Sequence, residues 1–145
     1  MESLRAPAIA PLWESPSAPA IFRWLSIDSL RLLIIDDEPS LLDLLRRYLG
    51  RQGYEVETCP TPGDALAQFR ADPERFSLVI TDLSMPEMSG EELIRKLREL
   101  RPDLPAIITS GYAHQPQAAG IGFLQKPFLP KALIEQIEKA LKGRV

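Results

Sequence analysis

Residues 78–83, Leu78-Val79-Ile80-Thr81-Asp82-Leu83, constrain this chain more than any other stretch. Apart from the Asp, every residue in the run is apolar or β-branched. A short run of this kind reads as a strand buried on both faces of a parallel sheet. It meets a carboxylate at Asp82, and Pro86 cannot donate to a continuing ladder. Ligands of open α/β sheets bind outside the carboxyl ends of the strands. Asp82 therefore lies where such a sheet does its chemistry, and the other strand ends decide what that chemistry is.

Leu30 to Ile35 reads as another buried strand, followed by Asp36-Asp37-Glu38 and by Pro39, which suits the first turn of a helix. Leu41, Leu42, Leu44, Leu45, Tyr48 and Leu49 give that helix an apolar stripe, closed by Gly50 to Gly53. Tyr54 to Thr58 alternates as a strand. Thr61-Pro62-Gly63-Asp64 has an N-cap, a first-turn proline and an acidic third residue, and Ala65, Leu66 and Phe69 supply the apolar face behind it. After the central strand, Ser89 to Leu100 is a helix with Leu93, Ile94, Leu97 and Leu100 on one side. Ala106 to Thr109 and Ile121 to Leu124 are two more strands, and Leu133, Ile134, Ile137 and Leu141 mark a closing helix.

Strands alternating with helices mean an α/β domain with helices on both faces of a parallel sheet. Right-handed crossovers leave few arrangements, and the five-stranded flavodoxin-like order 2-1-3-4-5 is the expected one. The domain occupies residues 30–145. Residues 1–29, with prolines at 7, 11, 16 and 19 among Ala and Ser, read as a tail or linker. Within it Ile21, Phe22, Trp24 and Leu25 form an apolar cluster, expected either to dock on its own domain or to contact an upstream domain or a second copy. A net charge of -3, with acidic and basic residues mixed along the helices, gives no reason to expect nucleic acid. No apolar run reaches the roughly 18 residues of a membrane span, and no signal peptide is evident. A lone Cys59 fits a reducing cytoplasm.

In the order 2-1-3-4-5, the first and third strands meet at the switch point. Asp36, Asp37 and Asp82 then converge on one edge. Three acids so close repel one another, and a hard, hydrated divalent cation such as Mg²⁺ relieves that repulsion and bridges to phosphate. The fourth strand ends in Ser110, whose hydroxyl can donate to a phosphoryl oxygen. The fifth ends in Lys126, whose ammonium neutralises phosphoryl charge. A cis Lys126–Pro127 peptide is expected to turn that lysine back toward the site. Taken singly, Asp36 or Asp37 could cap the helix at Pro39, Asp82 and Ser110 could be turn residues, and Lys126 a surface charge. Taken together, the groups at the strand ends suit a single chemistry, which is to hold a phosphoryl group on a carboxylate beside Mg²⁺.

These residues resemble a response-regulator receiver domain of two-component signalling. The matching pieces are Leu33-Ile34-Ile35-Asp36-Asp37-Glu38-Pro39, Thr81-Asp82-Leu83-Ser84-Met85-Pro86 with Ser89-Gly90, Thr109-Ser110-Gly111-Tyr112 and Phe123-Leu124-Gln125-Lys126-Pro127-Phe128. They lie within residues 30–142, which the resemblance covers. It implies that Asp82 accepts phosphate from a phosphohistidine of a histidine kinase or histidine phosphotransfer protein. Asp37 and the Ser84 backbone carbonyl would bind Mg²⁺ (or Mn²⁺) directly, and Asp36 through water. Lys126 would contact the phosphoryl group, with Ser110 and Phe123 at the family's switch positions. Ser84 and Tyr112, each two residues past a site residue, would tune hydrolysis. The wording of the later motifs is similar to receivers of hybrid histidine kinases. The 29 residues ahead of the domain are too few for a DNA-binding fold, so the expectation is a single-domain regulator or the receiver piece of such a kinase.

One departure from the family stands out. Only 11 residues separate Gly111 from Phe123, and they include Pro116 and two glycines. A parallel crossover needs about a dozen residues with its helix. The fourth helix is therefore expected to be shortened or missing, leaving apolar sheet surface for Ile21, Phe22, Trp24 and Leu25 to cover in cis or from a second copy. His114, in this link, is expected to be a solvated loop residue. Two other functions compete. A haloacid-dehalogenase-like aspartyl-phosphate phosphohydrolase would want a second Asp where Ser84 stands. A phosphate-independent pseudo-receiver would not need the full acidic, hydroxyl and lysine set. The resulting expectation is a switch rather than a turnover enzyme.

Overall fold

A computed structural model of the chain describes residues 30–143. The tail cluster Ile21, Phe22, Trp24 and Leu25 lies outside the described residues. Five strands, β1 (Arg31–Ile35), β2 (Glu55–Cys59), β3 (Leu78–Asp82), β4 (Ala106–Ser110) and β5 (Ile121–Gln125), pair in parallel in the order β2-β1-β3-β4-β5. Four helices accompany them among the described residues: α1 (Pro39–Arg51), α2 (Pro62–Ala71), α3 (Gly90–Leu100) and α4 (Pro130–Leu141). This is the flavodoxin-like arrangement expected from the alternation of elements.

The strands are apolar on both faces because both faces are covered. Leu33, Ile35, Val79, Ala106 and Ile108 join one core with Leu66 and Phe69 of α2 and Leu93, Ile94 and Leu97 of α3. The alternate positions Leu32, Ile34, Leu78, Ile80 and Ile107 are just as deeply buried and point the other way, to the face that right-handed crossovers assign to α1 and α4. There Leu42, Leu45 and Leu49 of α1 and Leu133, Ile137 and Leu141 of α4 are buried. The stripes are narrower than the sequence suggests. Leu44 of α1 is exposed because it lies more than a quarter-turn off the buried line of its helix, and Leu100, on the same stripe as buried Leu93, is exposed as the last residue of α3.

Local signals decide the helix starts. Thr61 caps α2 by accepting the Asp64 N–H at 3.1 Å, with Pro62 in the first turn. Ser89 caps α3 by accepting the Glu92 N–H at 3.1 Å. Phe69 stacks on Phe76 with ring centroids 6.0 Å apart, tying α2 to the approach of β3.

Between β4 and β5 the chain passes through residues 111–120 with no helix at all. The sheet beneath is nevertheless not bare. Ala106 and Ile108 are fully buried and Ile121 nearly so. They belong to the core that includes Ile94 and Leu97 of α3. α3 thus shares one core with the sheet residues beneath the link, while the tail cluster expected to cover them lies outside the described residues. The link is also drawn to α3. Arg98 donates from Nη1 to the Ala119 carbonyl at 2.9 Å, from Nη2 to Gly120 at 3.1 Å and from Nε to Leu104 at 3.0 Å.

Candidate functional site

Strand register assembles the site. Ile35 of β1 pairs with Thr81 of β3, so Asp36 and Asp82, each one residue on, stand side by side. Asp82 pairs with Thr109, one residue short of Ser110, and Ser110 pairs with Gln125, one residue short of Lys126. Every group expected from the strand ends therefore reaches the same edge.

Asp36, Asp37 and Asp82 each bring a carboxylate oxygen within 4.8 Å of the others. Asp36 is buried, Asp37 is exposed and Asp82 lies between. Asp36 is fixed from two sides: Oδ1 accepts the Glu38 N–H at 2.9 Å and Oδ2 accepts Lys126 Nζ at 2.7 Å. Neither Asp36 nor Asp37 caps α1; the residue at that position is Glu38, with no side-chain bond to the helix. Lys126 Nζ also stands 3.6 Å from Asp82 Oδ1, and the Lys126–Pro127 peptide is cis.

Burial and the neighbouring Asp36 raise the Asp82 carboxyl above its usual range, with Asp37 adding to the rise and Lys126 opposing it. Burial alone would pull Lys126 down, but hydrogen bonding and the charges of Asp36 and Asp82 outweigh it and hold the ammonium above the usual lysine range. Three carboxylates against one ammonium leave negative charge uncompensated. An all-oxygen, anionic, half-open donor set of this size fits a hard divalent cation such as Mg²⁺, not a soft metal.

The residues expected at the switch positions are also defined. Ser110 is buried, and its Oγ accepts the Tyr112 N–H at 3.1 Å. Phe123 is half-buried against the α2–α3 core. Ser84 and Tyr112, expected to flank the path of attacking water, are hydrogen-bonded to each other through their hydroxyls at 3.1 Å. That contact has no signature in the sequence, since the two residues lie 28 apart.

Two supporting residues carry only faint sequence signals. Thr81 is fully buried and donates from Oγ1 to the Asp82 carbonyl at 3.0 Å. Gly90 opens α3 so close to β3 that a Cβ there would lie 2.4 Å from the Asp82 carbonyl oxygen, while its N–H bonds Leu83 O at 2.8 Å. His114 corrects an expectation. It is not a solvated loop residue: Nε2 lies 2.9 Å from Glu91 Oε2, and its ring tilts against Phe123 with centroids 6.2 Å apart. The reason is the missing helix, which leaves the link lying along α3.

Known proteins carry the same design. A family model described as the response regulator receiver domain matches residues 32–138. The transcriptional regulatory protein GlrR of Escherichia coli K12 is 35% identical over 117 residues, which is 77% of this chain but only 26% of GlrR. The response regulator receiver protein CpdR of Brucella abortus is 34% identical over 119 residues, 77% of this chain and 96% of CpdR. The crystal structure of response regulator protein TrrA from Thermotoga maritima, in complex with Mg²⁺-BeF, superposes with a TM-score of 0.68 at 30% identity, covering 77% of this chain and 98% of that one. With sheet order, strand-end chemistry and relatives of full domain length in agreement, the chain belongs to the response regulator receiver domain family of two-component systems.

Proposed function

We propose that this receiver takes a phosphoryl group onto Asp82 from a phosphohistidine of a histidine kinase or histidine phosphotransfer protein, and switches conformation in response. The observation that carries the reading is the placement of Asp82 at the end of β3, within 4.8 Å of two further carboxylates and 3.6 Å from Lys126 Nζ. An Asp82 carboxylate oxygen attacks phosphorus, the P–N bond to the imidazole breaks, and the freed ring nitrogen keeps the bonding pair and takes up a proton. Asp37, Asp82 and the Ser84 carbonyl would hold Mg²⁺ (or Mn²⁺), and Asp36 would act through water. When bound, the cation supplies charge neutralisation at the phosphoryl oxygens. Lys126 neutralises a further oxygen.

The phosphoryl group of the acyl phosphate carries about -1.5 to -2 charges in place of the single carboxylate charge it consumes, a net gain of up to about one negative charge at the sheet edge. Ser110 exchanges its bond to the Tyr112 N–H for one to the phosphoryl group, and Phe123 fills the space released. The protein is a switch rather than a turnover enzyme, and the Ser84–Tyr112 hydroxyl pair sets the slow loss of phosphate to water. The partners are protein phosphodonors of the cytoplasm, not nucleic acid. No helix among the described residues is long and apolar enough to cross a membrane.

The test is a titration of the full chain with beryllofluoride and Mg²⁺, followed by amide NMR. Resonances of Ser110, Phe123 and Lys126 should move in the wild type and stay still in Asp82→Asn or without Mg²⁺. Equal movement in Asp82→Asn would sink the assignment of the acceptor.

A further inference from the structure

The helix-free link carries the one histidine of the chain, and that histidine is built into α3. Glu91 and Arg98 are seven residues apart, two turns of α3, and so share a face with Ile94 between them. Both hold the link. Arg98 binds its far end at the Ala119 and Gly120 carbonyls. Glu91 binds its near end: Oε2 lies 2.9 Å from His114 Nε2 and also accepts the Gln117 N–H at 2.9 Å. The His114 and Glu91 side chains are only 22% and 18% exposed, so the bond is largely shielded from water. The other side of the imidazole meets Phe123, at 6.2 Å between centroids and 55° between planes.

We propose that His114 is a positioning residue that, through Glu91, ties the Phe123 ring to α3 and so holds the switch in its resting arrangement. The proposal rests on the reading of Asp82 as acceptor with Ser110 and Phe123 as the moving groups. On that reading the arrangement seen is taken as the resting one, with Ser110 Oγ engaged by the Tyr112 N–H. For Phe123 to turn inward it must leave the imidazole, or take it along and break the bond to Glu91. Either way the movement works against α3. In this chain α3 stands in for the missing helix as the element that feels the switch. A contact that stabilises only the resting state lowers the apparent affinity for any ligand of the switched state.

The experiment compares beryllofluoride affinity in the presence of Mg²⁺ for the wild type, His114→Ala, Glu91→Ala and His114→Gln, with amide hydrogen exchange on the same full-length chains. The two alanine variants should bind beryllofluoride about fivefold more tightly, the worth of one net hydrogen bond. The Gln117 amide, which loses its anchored acceptor in Glu91→Ala, should exchange faster in that variant. His114→Gln keeps a donor toward Glu91 and should fall back toward the wild type. Side chains that merely stiffened the fold would, when removed, leave that affinity unchanged or weaken it. A clear wild-type response that is equal or weaker in both alanine variants overturns the coupling alone. No response in the wild type overturns the acceptor reading, and the coupling with it.

Discussion

Lys126 is bonded to Asp36 rather than to the proposed acceptor. Its ammonium donates to Asp36 Oδ2 at 2.7 Å, while Asp82 Oδ1 stands off at 3.6 Å. The lysine is thereby held over the site by a buried acid, and Asp82 keeps its oxygens for an incoming group. Lys126→Met leaves the nearly inaccessible Asp36 carboxylate with only the Glu38 N–H. The expected loss of stability in metal-free buffer is about 2 kcal/mol, the scale of a hydrogen bond to a charged group. Added Mg²⁺ should recover part of it. An unchanged urea midpoint would show that the pair contributes nothing.

Asp82 gives a pH dependence with a definite sign. Its carboxyl is raised from the ordinary 3.8, by burial first and by Asp36 next. The folded state therefore binds its proton more tightly than the unfolded chain. The stability this provides is complete below 3.8 and is lost as pH rises through the higher folded value. Asp82→Asn removes the dependence. Without metal, the stability of the variant relative to the wild type should rise with pH across that window, as read from urea midpoints. A relative stability that falls over the same window would contradict the proposed crowding of charge.

Gly90→Ala tests the close approach of α3 to β3. The added methyl would sit 2.4 Å from the Asp82 carbonyl oxygen and 3.1 Å from the Thr81 side chain. The start of α3 must retreat, at about 1–3 kcal/mol by the usual cost of overpacking. Because Asp82 itself forms the wall, beryllofluoride affinity should fall along with stability. Loss of stability with affinity intact would mean that the strand end does not move.

Much of this was legible in the residues, for a physical reason. Buried parallel strands must be apolar on both faces, so a polar residue at the end of such a run stands out, and Asp36, Asp82, Ser110 and Lys126 all do. Helix caps are local, so Thr61 and Ser89 announce their helices. A crossover helix needs a minimum length, so its absence between Gly111 and Phe123 follows from counting. Contacts between distant, individually ordinary residues leave no such trace. The Ser84–Tyr112 hydroxyl pair, the hold of Glu91 on His114 and the three bonds of Arg98 depend on how the link settles against α3. The exposure of Leu44 and Leu100 likewise depends on where each helix turns away from the sheet.

Arg98 should be hard to replace. Its guanidinium serves three carbonyls in different directions, a fork that an ammonium cannot reproduce. Arg98→Lys is expected to behave much like Arg98→Ala, each losing about 1–3 kcal/mol and each exposing the amides around Ile121 to faster hydrogen exchange. Full rescue by lysine would show that only the charge matters.

The central claim is that Asp82 is the acceptor, and intact-mass measurement after incubation with acetyl phosphate and Mg²⁺ tests it most directly. The wild type should gain the mass of one phosphoryl group, lose it on exposure to hydroxylamine as an acyl phosphate does, and gain nothing when Mg²⁺ is chelated; Asp82→Asn should gain none. A wild type that stays unmodified, or an Asp82→Asn chain modified to the same extent, would contradict the account.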